Sequence, residues 1–293
     1  MSSISKTKIL KYSVFSFIFA SALVWTSVFK IEARGGLLAV HFFDVGQGDA
    51  IFIESPNGYQ VLVDGGPDNS VLSKLAGVMP FWDRSIDLVI LTHPHADHVD
   101  GLLEVLRRYE IGAVIESGVN HSIPEYGEWH AFLEEKGVPV TIAEGGQVVK
   151  FSDGVSLNIL TPFKSFVGES PKNIHDSMVI FRLTYASSTA LFMGDAEKSL
   201  ERRLISLGDD IKAEVLKAGH HGSKTSSFEE FLRAVSPEVV VISVGAKNRY
   251  GHPYQEVLDR FHKLGIKIFR TDMDGDVVFV SDGVQFLLDK EPQ

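Results

Sequence analysis

The 293-residue chain contains no cysteine. That excludes disulfide frameworks, cysteine nucleophiles and every thiolate-based zinc or iron–sulfur site. Any metal must be held by His, Asp or Glu. Positive charge is also scarce: 28 Lys and Arg face 38 Asp and Glu, a formal net of −10. The deficit is uneven. Residues 1–36 hold Lys6, Lys8, Lys11, Lys30 and Arg34 against Glu32 alone, a net of +4. The other 257 residues therefore carry 23 basic against 37 acidic groups, a net of −14. So acidic a body argues against broad, sequence-independent phosphate binding, which relies on Lys and Arg to displace counterions. It leaves a local site open. There is no low-complexity stretch and no repeat of the 20–50-residue kind, which removes a solenoid. What remains, 44% hydrophobic and 23% charged, is globular composition with length for one or two domains.

Residues 12–29 are uncharged and mostly Phe, Val, Ile, Leu, Ala and Ser. As a helix they would span ~27 Å, close to the ~30 Å hydrocarbon core of a bilayer. The lysines before them favour a cytoplasmic N-terminus and a body on the far side. Two readings stay open. One is an uncleaved single-pass anchor in the cytoplasmic membrane; the other is a signal peptide cut near Ala20-Ser21-Ala22, which would leave a secreted protein. Residues 1–36, ending in Gly35-Gly36, are thus an anchor or signal segment with linker, and 37–293 form the working domain.

Within that domain, strand-like and helix-like runs alternate. Strands are predicted at 37–43, 50–54 and 60–63, the last two joined by a Pro56-Asn57-Gly58 turn. The almost wholly apolar run 87–91 reads as a strand buried on both faces. Helical periodicity follows at 99–108 and 125–136. A second series has strands at 155–160, 178–183 and 189–192, a helix at 196–207, and strands at 214–216 and 239–242 among helices 228–235 and 254–264. Short strands at 267–270, 277–280 and 285–288 close the chain. Two such series predict a pseudo-duplicated α/β fold, with two sheets face to face and helices outside.

Four His clusters fall directly after predicted strands. The sharpest is Thr92-His93-Pro94-His95-Ala96-Asp97-His98. Three imidazoles and a carboxylate on one strand-to-helix turn can converge on a point, and both are ligands for a divalent ion. His93 and His95 share a face of an extended turn, while Asp97 and His98 open the next helix and aim at a second point. His175-Asp176 precedes a strand. Gly194-Asp195 ends one, where a carboxylate can bridge two metals or simply cap a helix. Gly219-His220-His221-Gly222-Ser223 and Gly251-His252-Pro253 follow. Adjacent His220 and His221 should point to opposite sides, so that one of the two binds metal. His121, His130 and His262 lack such context and read as surface residues.

The His93-x-His95-x-Asp97-His98 signature resembles that of the metallo-β-lactamase superfamily, with Asp64-Gly65-Gly66 before it and Gly194-Asp195 and Gly219-His220 after it. The run His41-Phe42-Phe43-Asp44-Val45-Gly46-Gln47-Gly48-Asp49, with His220-His221-Gly222-Ser223 and Gly251-His252-Pro253, is similar to the ComEC/Rec2 competence branch. The resemblance covers residue 37 to the end. It implies an α/β fold, the αββα four-layer sandwich, with two divalent metal ions at the open edge between the sheets. His93, His95, His175 and Asp195 would hold one; Asp97, His98, the bridging Asp195 and His220 the other, with His221 able to replace His220. Asp64 would orient a ligand His, and Asp44 and Asp49 would shape the same floor.

That resemblance leads to a hydrolase, most plainly a phosphodiesterase acting outside the cytoplasmic membrane on single-stranded DNA or another phosphodiester. Two metals lower the pKa of a water from ~15.7 towards ~7. Asp97 would orient the nucleophile, and His252, or whichever of His220 and His221 is not a ligand, would protonate the leaving oxygen. Lys217, Ser223 and Lys224 are candidate phosphate contacts. Zinc is the expected ion, with manganese or iron compatible with the same ligands. Two alternatives stand beside this reading. One is hydrolysis of cell-wall phosphodiesters, thioesters or lactams, the lactams disfavoured because most such enzymes use a Cys ligand. The other is a non-catalytic, tethered competence or envelope component, against which the full ligand set argues.

Overall fold

The computed structural model describes residues 11–19, 21, 36–206 and 211–289. The chain divides into two compact units, Met1–Gly36 and Leu37–Gln293. In the first, residues 11–19 are helical and exposed. No helix among the described residues is long and apolar enough to cross a membrane. The membrane segment expected at 12–29 is therefore not supported by the structure; its residues 20 and 22–29, including Ala20 and Ala22 of the cleavage pattern, lie outside the described residues.

The second unit holds two sheets. The first has eight strands: β1 (Leu38–Phe42), β2 (Ile51–Glu54), β3 (Gln60–Val63), β4 (Ser85–Ile90), β5 (Glu110–Glu116), β6 (Val140–Ile142), β14 (Val277–Ser281) and β15 (Phe286–Leu288), in the order β15-β14-β1-β2-β3-β4-β5-β6. The second has seven: β7 (Val148–Lys150), β8 (Val155–Thr161), β9 (Ile180–Tyr185), β10 (Ser188–Phe192), β11 (Val215–Lys217), β12 (Val239–Ile242) and β13 (Lys267–Arg270), ordered β13-β12-β11-β10-β9-β8-β7. Each sheet is antiparallel on one side and parallel on the other: the first turns parallel from the β3–β4 pair onwards, and in the second the β10–β11 pair is the last parallel one before the antiparallel β10–β9 pair.

Alternation of side chains along the strands sets the layers. Val61 and Val63 of β3 face inwards with Ile51, Ile53, Phe181, Ala190 and Phe192 to make the core between the sheets. Phe192 stacks on Phe181 at 4.6 Å and on Phe42 at 6.0 Å, so this ring ties the two sheets together. Leu62, one residue out of phase, packs instead under α1 (Ser70–Val78), α2 (Ala96–Arg108) and α3 (Pro124–Lys136). On the other side Leu191, Leu216 and Val240 pack under α4 (Lys198–Ser206), α5 (Glu229–Val235) and α6 (Gln255–Lys263). The result is the expected helix–sheet–sheet–helix sandwich. Helix α1 and strands β5, β6 and β7 were not anticipated: α1 has nine residues and no side-chain cap, and β5 is interrupted by Gly112.

Candidate metal centre

Every ligand candidate leaves a strand end on one edge of the sandwich. His93 and His95 lie in the turn between β4 and α2, and Asp97 and His98 in the first turn of α2, where the helix dipole favours the carboxylate. This turn is pressed close by glycines. A Cβ on Gly101 would stand 1.9 Å from the Gly65 carbonyl oxygen, and one on Gly48 (φ +137°) 2.1 Å from that of Asp97. Only glycine permits either approach. His175 sits in a 3-10 turn, Ile174–Ser177, before β9, and Asp195 follows β10.

The side chains form two groups, in each of which one donor atom per residue lies within 4.8 Å of all the others. They are His93, His95, His175, Asp195 and Asp97, His98, Asp195, His221. Asp195 belongs to both and divides its oxygens. Oδ1 is 3.3 Å from His221 Nε2 and 3.5 Å from His98 Nε2, while Oδ2 is 3.9 Å from His93 Nε2. Ligands bonded at ~2.1 Å to a tetrahedral ion stand ~3.4 Å apart, so in the second group Asp195 already stands at that spacing from His98 and His221. The buried Nε2 of His93, His98 and His221, both ring nitrogens of His175, and Oδ1 of Asp195 have no hydrogen-bond partner. Buried polar atoms left so are costly, and a divalent cation in each group would satisfy all of them but one nitrogen of His175. The residues fit two such ions.

The far sides of the His98 and His221 rings are fixed. His98 Nδ1 is 2.7 Å from Asp64 Oδ2, and Asp64 also accepts from the Thr92 amide (2.8 Å) and hydroxyl (2.7 Å). His221 Nδ1 donates to the Ser243 carbonyl at 2.9 Å. Both arrangements leave Nε2 to face the centre. Beneath, Asp49 lies 3.6 Å from His221 Nδ1 and 4.0 Å from His98 Nδ1, and pairs with the fully buried Lys217, which also donates to the Gly194 carbonyl at 3.0 Å.

Electrostatics separate the two groups. Burial pushes His93 well down and His95 to about 4, each helped by neighbouring imidazoles, so both are neutral donors of a lone pair. Burial also opposes charge on His98 and His221, but the nearby carboxylates, Asp195 first, outweigh it. His98 is held well above its ordinary range and His221 at about 9. Burial resists ionisation of Asp97 and Asp195, yet the facing histidines bring Asp97 to about 2 and Asp195 well below the usual carboxylate range. Without a metal, protons on His98 and His221 neutralise the carboxylates; a cation takes over that role.

Several expectations change. The second group was expected to contain His220; it contains His221. Neither is in an extended strand: both have left-handed backbone (φ +47° and +54°), strained for non-glycine residues, and this turn splays the rings apart. His220 joins His175 and Glu197 instead, its Nδ1 3.6 Å from Glu197 and its Nε2 3.8 Å from Asp195 Oδ2. His221 was also a candidate proton donor, a role its place among the ligands removes. Lys217 was expected to contact substrate, but its ammonium lies under the site, paired with Asp49. Ser223 is buried and its hydroxyl is taken up with Thr225, whereas Lys224 is exposed, its ammonium 5.6 Å from the Tyr254 ring. Asp44 caps its own turn by accepting from Gly46 at 3.2 Å and does not join Asp49 in the floor. His121 is no isolated surface residue, for its ring lies 5.7 Å from His95. His130 is exposed and pairs with Glu116 at 2.8 Å, and His262 is exposed. Glu197 escaped the sequence reading; its signal was its place two residues after Asp195.

A model of the metallo-beta-lactamase superfamily matches residues 43–246. The chain belongs to that superfamily. It is 29% identical over 257 residues to ComE operon protein 3 of Bacillus subtilis, covering 82% of this chain and 32% of that one. It is 31% identical over 248 residues to competence protein ComA of Neisseria gonorrhoeae, again 82% of this chain and 32% of the other. The chain thus spans about a third of the length of the curated relatives it matches. Among solved structures, the metallo-beta-lactamase fold protein YhfI of Bacillus subtilis aligns with a TM-score of 0.56 at 14% identity, covering 83% of this chain and 100% of YhfI, a likeness of fold alone. Membership makes this chain, in general terms, a metal-dependent hydrolase related to competence proteins, with a His/Asp site suited to two metal ions.

Proposed function

We propose that this superfamily member is a phosphodiesterase that cleaves single-stranded nucleic acid on the outer side of the cytoplasmic membrane. The observation that carries the reading is Asp195, a single carboxylate shared by two four-residue groups with no sulfur ligand. Two divalent ions there, zinc by ligand type, would neutralise phosphate oxygens and bring a water towards its hydroxide form near neutral pH. Asp97, ionised and 29% exposed, faces the second group and orients the attacking water. His220, with Glu197 behind its Nδ1, is placed to hand a proton to the leaving oxygen, although burial pushes its pKa below the ordinary imidazole value. His252 suits that task less well. Burial, then the charges of His221 and His220, push it down to about 4, so at neutral pH it is an uncharged hydrogen-bonding ring beside the substrate.

The printed names of the relatives, ComE operon protein 3 and competence protein ComA, favour nucleic acid as the diester. The extracytoplasmic side rests on the lysines ahead of the uncharged run 12–29 and on the exposed phenylalanines of residues 11–19. The deciding experiment is a substrate panel with zinc, manganese or iron: single-stranded DNA, duplex DNA, RNA, a chromogenic phosphodiester and nitrocefin. Cleavage of the single strand and the chromogenic diester is expected. Turnover of nitrocefin alone, or of nothing, overturns the reading.

A further inference from the structure

After β12 the chain loops through residues 245–252 and returns to the metal centre. Asn248 clamps this loop. Its Nδ2 donates to the carbonyls of Gly245 (2.8 Å) and His252 (2.7 Å), and its Oδ1 accepts from the amides of Tyr250 (3.2 Å) and His252 (2.9 Å). Arg249 and Tyr250 are thereby presented outwards on a backbone that needs no ordering when a ligand arrives. Tyr250 is 48% exposed, and its ring stacks on His252 with centroids 5.7 Å apart and planes at 24°. His252 lies 5.6 Å from the ring of Tyr254. A cation stands at each end of this row: the Arg249 guanidinium is 5.2 Å from the Tyr250 ring and donates to its hydroxyl at 3.1 Å, and Lys224 Nζ is 5.6 Å from Tyr254. The middle ring, His252, is 5.6 Å from His220 and 6.4 Å from His221. A strip of cation, three rings and cation thus runs past the metal ligands.

We propose that this strip binds the nucleotides flanking the scissile phosphate of a single-stranded polynucleotide. A base stacks against the exposed part of the Tyr250 ring, and Arg249 and Lys224 take phosphates along the backbone. The proposal rests on the phosphodiesterase reading and names how its substrate is held. Unpaired bases present the π-faces that such rings need, while a duplex keeps them stacked on one another. In a body carrying −14, two cations framing the site give a local grip where the wider surface repels a polyanion. Stacking does not read sequence, so the strip predicts little base preference.

The test uses the full chain and two readouts: anisotropy of a fluorescent single-stranded oligonucleotide of about a dozen nucleotides, and turnover of a chromogenic phosphodiester by the zinc-loaded protein. Tyr250→Ala and Arg249→Ala should each weaken oligonucleotide binding roughly tenfold. Arg249→Ala should also reduce the salt dependence, log K against log salt, by ~0.7. Lys136→Ala, at the end of α3 and far along the chain from the strip, should match wild type in binding. Unchanged affinity in both strip variants overturns the proposal even if the chromogenic diester is turned over. Loss of oligonucleotide binding in the variants, with no diester turnover by any form, keeps the strip and removes the hydrolase reading. If circular dichroism shows that Tyr250→Ala is unfolded, Tyr250→Leu, which keeps bulk and removes the ring, takes its place and should show the same loss.

Discussion

Asp64 grips the ring of His98 from behind at 2.7 Å while its own backbone sits at φ +56°, a region that few residues other than glycine, Asn and Asp occupy. Thr92 donates to both of its oxygens, so one carboxylate joins the end of β3, the end of β4 and the first turn of α2. Burial pushes its pKa up, against the pull of His98. Asp64→Asn keeps the backbone preference and the shape but loses the charge behind the ring. Zinc affinity should fall roughly 10- to 100-fold, measured by competition with a chelator. An unchanged affinity would show that Asp64 only secures the turn.

His221 and His220 separate the ligand set the geometry supports from the one the family resemblance implied. His221→Ala should bind one zinc fewer than wild type by elemental analysis, because it removes a buried donor of the second group. His220→Ala should keep both ions and lose turnover instead, by roughly 10²- to 10⁴-fold if it is the proton donor. The reverse pattern would restore His220 as the ligand.

Lys217 and Asp49 form an ion pair with both side chains out of solvent. Removing one member strands the other, at a cost of about 3–5 kcal/mol. Lys217→Met should therefore lower the denaturant midpoint sharply. Adding Asp49→Asn should recover a large part of that loss, a coupling read from the double-mutant cycle.

Glu201 gives stability a pH dependence away from the metal centre. Its carboxylate caps the start of α5, accepting from the amides of Ser227 (2.6 Å) and Phe228 (3.1 Å). Burial pushes its pKa up from 4.5 to about 7, against those two bonds and the charges of Arg260 and Lys198. Between these values the folded state holds the proton that the unfolded state has released. Stability should therefore fall as pH rises from 4.5 to 7, by roughly 3 kcal/mol in all. Urea unfolding across this window should show the slope, and Glu201→Gln should flatten it.

Much of the architecture was legible because short apolar runs are. The runs at 60–63, 239–242 and 267–270 are strands with those same limits, since their apolar residues leave no other face to bury. The edge strands β6 and β7 were not legible: three residues each and largely exposed, they bury no face that a pattern could show and are held by pairing with β5 and β8. At the site, His93 to His98 could be read because the ligands are contiguous. The choice between His220 and His221 could not, because it turns on two left-handed residues that no local pattern announces. Lys217 misled for a related reason. In β11 it is in phase with Val215, which faces the interior, so its side chain runs under the site. The basic and aromatic strip stayed hidden because Lys224 lies some 25 residues before Arg249 and meets it only through the rings of Tyr254, His252 and Tyr250.

His93, His95, Asp97 and His98 hang from the first sheet, whereas His175, Asp195 and His221 hang from the second. An ion in either group is therefore a rivet through both layers, placed at the edge where the Phe192 stack no longer reaches. Sliding one sheet over the other would shear every ligand bond at once. Free zinc at a hundredfold excess over its dissociation constant would add about 2.7 kcal/mol to stability. The same atoms proposed to activate a water would then also set the temperature at which the sandwich comes apart.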